Sequence, residues 1–370
     1  MTALSAYGIG LTGFVKAREP SHAAALRALA DGASPKVKQA IIDALRSGDD
    51  AQIAQLAEAL AAGSIPRVMA LLGLDVLEQR FAAVQAELRS VIAAAGKATA
   101  ATIPARPRLV GPSLQVAFDT TNARTIETIQ QYDLNLIREI SENTRNGIRA
   151  LITDGLSAGK NPRAVARLVK QQVGLTAKQQ AWVGNFRREL ETFHERSSAS
   201  GWNLGGQKSK APGGAGVMAI DDNGNPVDGI QNRRLRDFRF DGQLKRAMAT
   251  GKPLTPEQID KMVGRYQERL IAHRAETIAR TEALRAVNAG NHLAWKQAID
   301  TGAVVADEVR KFWHTAGDER VRLTHRRIPK MNEGGVGIDE LFDTPKGGVL
   351  YPPLGPNCRC VVIYRVITKS

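Results

Sequence analysis

Residues 309–327 read VRKFWHTAGDERVRLTHRR, and residues 351–366 read YPPLGPNCRCVVIYRV. The β-branched run Val361, Val362 and Ile363 predicts a strand over Cys360–Ile367, and Val309–His314 reads as a second one. Between them the spacing predicts a short helix over Asp318–Arg327 and a loop over Gly334–Gly348, so this end of the chain is expected to be a small α+β module. On a helix, Asp318, Arg322 and His325 share one face, with Asp318 and Arg322 spaced for an i, i+4 ion pair. On a strand, Cys358 and Cys360 aim at one face and Arg359 at the other. Pro352, Pro353 and Pro356 restrict the approach to the thiols and leave Asn357 to turn the chain.

Outward from this module the chain reads as helix. Aromatic residues make up only 5% of its 370 residues while alanine is abundant, which favours thin Ala/Leu/Val/Ile helix faces over aromatic-rich sheets. The expected fold is mainly α-helical with a small α+β C-terminal module. At this length two or three domains are expected, and composition divides the chain into an Ala-rich helical region (1–100), a long-helix region (113–200), a Gly-rich loop and basic segment (201–250) and a C-terminal module (255–370). In the first region Ser34-Pro35 reads as an N-cap and N1 pair, and Leu77, Phe81, Val84, Leu88 and Val91/Ile92 form one stripe near Leu74–Ala95. Gly96–Pro112, with three prolines, reads as a linker. Asp119–Asp154 carries a near-heptad stripe that predicts one helix of about 35 residues. Asn161-Pro162 and Thr176 open two more helices. Thr255-Pro256-Glu257-Gln258 is a capping box that starts a long helical region reaching about Ala298, with Gly264, Gly290 and Asn291 as candidate breaks.

Charge is uneven along the chain. The formal net charge is +14, and residues after 100 hold 41 Lys and Arg against 28 Asp and Glu. An excess of this kind favours a polyanionic partner through counterion release, with double-stranded DNA, bound without sequence preference, the first candidate. Arg233, Arg234, Arg236 and Arg239, interleaved with Phe238 and Phe240, are the candidate phosphate contacts. The two aromatics read either as base-stacking groups or, more simply, as one face of a short strand.

Two cysteines in 370 residues make no disulfide framework. Met1–Pro20 lacks the pattern of a signal peptide, and no window is long and apolar enough to cross a membrane, so no membrane partner is expected. Gly155–Lys160 resembles a P-loop but misses by one spacer and lacks the Ser/Thr for magnesium, so ATP binding is rejected.

His314, His325, Cys358 and Cys360 together supply two nitrogen and two sulfur donors, the composition of a tetrahedral zinc site. The C-x-C spacing and the histidines' separation of eleven positions favour the alternative, in which the thiols pack as small hydrophobes beneath the Trp313 strand while His325 pairs with Asp318. No cofactor other than this possible zinc is expected. An enzyme, for instance a metal-assisted nuclease or a transferase, would have to use Asp318, His325 and Cys358; with neither a spaced carboxylate pair nor a clear nucleophile, no residue is given a catalytic role.

The pattern W-H-T-x-x-D-x-R-x-R-x-x-H from Trp313 to His325, followed by Y-P-P-x-x-P-N-C-R-C from Tyr351 to Cys360, resembles the phage Mu F-like minor head (head morphogenesis) family. The resemblance runs from about Thr277 to Arg365 and includes A-R-T-E-A at Ala279–Ala283. It implies a low-copy structural component of the virion head, assembled in the host bacterial cytoplasm and associated with the portal protein and with the major capsid or scaffold protein. It also implies presence during DNA packaging and ejection. On that reading Trp313, Asp318, Arg322, His325, Asn357, Cys358 and Cys360 are a structural motif, and Arg280-Thr281-Glu282 anchors the module. The alternative is a sequence-independent DNA-binding protein outside the virion.

Overall fold

The computed structural model describes residues 20–45, 53–74, 76–104, 116–200, 219–220, 226–227 and 235–367. As expected from composition, helices dominate. In chain order they are α1 (Ser21–Leu45), α2 (Ile53–Ala61), α3 (Ile65–Leu71), α4 (Leu77–Arg80), α5 (Ala82–Ala100), α6 (Ala123–Ser157), α7 (Pro162–Gln172), α8 (Ala177–Ser200), α9 (Asp241–Thr250), α10 (Pro256–Asp300) and α11 (Leu323–Met331). The strands are β1 (Ala219–Ile220), β2 (Pro226–Val227), β3 (Val309–His314), β4 (Val336–Gly337) and β5 (Val361–Val366).

The chain forms two compact units that interleave along the sequence. One comprises residues 1–34, 88–125 and 280–370, and the other residues 35–87 and 126–279. In the second unit, Asn161 caps α7 by accepting the Arg163 N–H at 2.8 Å, and Thr176 and Gln179 cap α8 reciprocally. Val183, Phe186 and Leu190 of α8 pack with Leu244 and Ala247 of α9 and with Ile259, Met262, Val263, Tyr266 and Leu270 of α10. α10 starts at the expected box: the Thr255 N–H donates to Gln258 Oε1 at 3.0 Å, and the Gln258 N–H to Thr255 Oγ1 at 3.3 Å.

The first unit contains the three-stranded antiparallel sheet, in the order β4-β3-β5. Val309 pairs with Val366 and His314 with Val361, while Arg310 and Lys311 pair with Gly337 and Val336. Along β3 the alternation is regular: Val309, Lys311 and Trp313 are buried, and Arg310, Phe312 and His314 are half-buried. Trp313 meets Phe342 edge-on at 5.4 Å between ring centroids, and Trp295 of α10 stacks on Tyr364 of β5 at 5.5 Å.

Several boundaries differ from those the sequence predicts. Ser34-Pro35 opens no helix, because α1 runs through Pro35 and the apolar positions on either side, Leu26, Ala30, Val37 and Ile41, are all buried. Gly96 lies inside α5 rather than in a linker, where a Cβ would meet the Phe118 ring at 2.4 Å. Neither Gly264 nor Gly290-Asn291 interrupts α10. Gly155 is within α6, close against Val165, and the turn glycine that follows is Gly159, with φ +66°. Phe238 and Phe240 belong to a single 3₁₀ turn capped by Asp237, not to one face of a strand.

Candidate functional site

The free edge of β5 fixes the site from behind. An edge strand exposes backbone donors and acceptors that must find partners when buried, and here α10 supplies them from side chains. Asn288 Oδ1 accepts the Val362 N–H at 2.9 Å, the Asn291 amide donates to the Val362 carbonyl at 2.8 Å, and Thr99 of α5 donates to Asn291 Oδ1 at 3.1 Å. Both asparagines are fully buried. At the next position along α10, His292 Nδ1 lies 2.8 Å from the Tyr364 hydroxyl, and burial together with the nearby Lys311 ammonium pushes this imidazole down to about 3. α10 approaches α5 closely enough for this because residue 290 is glycine: a Cβ there would lie 2.2 Å from the Ile92 carbonyl oxygen. Gly290 and Asn291, candidate breaks by residue type, are thus a packing contact and a strand clamp. The signal for this is Asn288, Gly290 and Asn291 at helical spacing within an alanine-rich, otherwise continuous helix.

In front of β5, Asn357 has φ 55° and turns the chain as expected, its N–H donating to Thr281 Oγ1 at 3.0 Å. Thr281 thus supplies the anchoring atom of Arg280-Thr281-Glu282, while Glu282 pairs with Arg285 at 3.3 Å. The turn delivers Cys358 and Cys360 to one side and Arg359 to the other. Arg359 holds both oxygens of Asp318, at 2.6 and 2.5 Å, and this bidentate pair keeps the carboxyl below its ordinary range.

That pair overturns two sequence expectations. Arg322 occupies the position just before α11 in an extended conformation, so Asp318 precedes the helix, and the Arg322 side chain donates instead to the Pro356 carbonyl at 2.7 Å. His325, released from Asp318, turns inward, with Nδ1 3.6 Å from Cys358 Sγ and 3.6 Å from Cys360 Sγ. All three residues are buried, and their ligand atoms lie within 4.8 Å of one another. His314, the fourth zinc candidate, is half-buried and is not part of this group.

The thiols are inequivalent. Hydrogen bonding from Cys360, through its side chain and its backbone N–H at 3.5 Å, brings Cys358 down to about 5, whereas the hydrogen bond to Cys358 and burial push Cys360 up. A cavity of about 470 Å³ opens onto the trio, lined also by Arg27, Arg280, Arg320, Arg322 and Arg359. The arginines make it a basic cavity, suited to anionic groups.

The basic segment is divided. Arg233 and Arg234 lie outside the described residues. Arg236 is buried, ion-paired with Asp241 and set 4.4 Å from the Phe238 ring centroid. This removes it from the phosphate-contacting surface expected of the segment. Arg239 is exposed but pairs with Asp237 at 2.6 Å.

Among the described residues no helix is long and apolar enough to cross a membrane. No curated protein and no solved structure matches the chain. Residues 240–363 do match one family model, described as Phage Mu protein F like protein, the family that the motifs from Trp313 to His325 and from Tyr351 to Cys360 resemble.

Proposed function

We propose that this chain is a minor head protein of a tailed bacteriophage, a structural component that joins the head through the portal and the capsid or scaffold protein and contacts packaged DNA without reading its sequence. The observation that carries the reading is the family match over residues 240–363. The motif residues support a structural role. Asp318 is held by Arg359, Asn357 by Thr281, and β5 by two buried asparagines, so these groups bind one another rather than stand open to a substrate. The DNA contact is supported by the net charge of +14 and by the five arginines around the cavity.

The DNA contact has a direct test. Purified full-length protein should bind a double-stranded fragment regardless of its sequence and lose about tenfold or more in affinity between roughly 50 and 200 mM salt. Replacing Arg233, Arg234 and Arg239 together with alanine should reduce the salt slope by about one for each phosphate that is no longer neutralised. Arg236 stays, because it is buried and does not face solvent. Affinity that does not change with salt removes DNA from the proposal, and an unchanged slope in the triple variant moves the binding surface to other arginines.

A further inference from the structure

The two cysteines of this chain converge on one histidine from separate parts of the fold: His325 from α11, Cys358 from the turn and Cys360 from the edge of β5. Sulfur–nitrogen distances of 3.6 Å, equal for the two sulfurs, match the edge of a tetrahedron. With metal–sulfur and metal–nitrogen bonds of about 2.3 and 2.05 Å at the tetrahedral angle, the sulfur–nitrogen edge comes to about 3.6 Å. Neither sulfur is favoured over the other in its distance from Nδ1, as a shared ion requires. The backbone N–H of Cys360 points at Cys358 Sγ, as suits a ligating thiolate, whose charge it disperses. The cavity leaves the trio open on one side, where a fourth ligand can stand.

We propose that His325 Nδ1, Cys358 Sγ and Cys360 Sγ bind one zinc ion, with the fourth position facing the cavity and taken by water or a small anion. Soft sulfur with imidazole selects zinc over the hard cations magnesium and calcium. On loading, the protons the thiols still carry go to solvent, and the two thiolates with a neutral imidazole balance the dication, leaving no net charge among the surrounding arginines. An ion here ties α11 to the start of β5, two segments otherwise joined through the Asp318–Arg359 pair and the Arg322 bond to Pro356. This inference concerns the metal alone, and it stands or falls independently of the phage reading.

The test uses the full chain, purified reduced, stripped with a chelator and titrated with zinc or cobalt(II). About one ion should bind per chain, zinc should raise the melting temperature, and cobalt should give the intense visible bands of tetrahedral coordination with a sulfur charge-transfer band. Cys358→Ser, Cys360→Ser and His325→Ala should each abolish the cobalt spectrum, while His314→Ala should leave it unchanged. Should those variants fail to fold, the wild type decides: zinc loading must protect both thiols from alkylation and release protons, at least the one held by Cys360. The proposal is overturned if folded wild-type protein with both thiols reduced takes up no ion. It is equally overturned if the cobalt spectrum is octahedral without a sulfur band, or if thiol reactivity is the same with and without zinc.

Discussion

Gly290→Ala should destabilise the protein by about 3 kcal/mol, at the upper end of the cost of forcing extra volume into a packed interior. On an isolated helix the same change stabilises by about 1 kcal/mol, since alanine is the best helix former and glycine among the worst. Contact decides the sign here. The added Cβ would stand 2.2 Å from the Ile92 carbonyl oxygen and 3.0 Å from the Gly96 nitrogen. Both are backbone atoms, which no rotamer change can move, so α10 and α5 must separate. Separation would also stretch the Thr99 bond to Asn291 and, through Asn291, the hold on Val362. Urea denaturation of the wild type and the variant reads the difference, and a midpoint equal to or above that of the wild type would refute the close approach.

Asn288→Leu should cost about 2–3 kcal/mol for a different reason, the burial of unpaired polar groups. Leucine has the same branching and number of side-chain heavy atoms and is a better helix former, so neither a cavity nor propensity accounts for a loss. What disappears is the acceptor for the Val362 N–H and the donor facing the Cys360 carbonyl, at a position with no solvent exposure. A backbone group left unpaired there carries its full desolvation cost. Asn288→Asp separates the two halves of the interaction, because it keeps the acceptor and loses the donor. A leucine variant whose stability lies within about 0.5 kcal/mol of the wild type would mean that the β5 edge finds other partners.

The sequence was most legible where local chemistry decides the outcome. Val309–His314 emerged as a strand at the expected bounds, α6 as one 35-residue helix, and Asn161, Thr176 and Thr255 as helix caps, because β-branching, heptad spacing and capping are set by neighbours in sequence. It was least legible where a distant partner wins. The i, i+4 spacing of Asp318 and Arg322 was real, but a bidentate bond to Arg359 outcompetes a helix-surface pair. Ser34-Pro35 had every mark of a helix start, yet burial on both sides carries α1 through it. Arg236 has the composition of a surface cation, but Asp241 claims it. Of the candidate zinc ligands, His325, Cys358 and Cys360 were all identifiable by residue type. Which of the candidates meet was not, since His314 stands outside the group and the meeting of the other three depends on where α11 begins and on the left-handed turn at Asn357.

The central claim is that this chain is built into phage heads. Quantitative mass spectrometry of purified, DNA-filled heads from the phage or prophage that encodes it should find the chain in every preparation, far less abundant than the major capsid protein and retained with the portal after salt washing. Heads that package DNA normally and contain none of the chain would contradict the account.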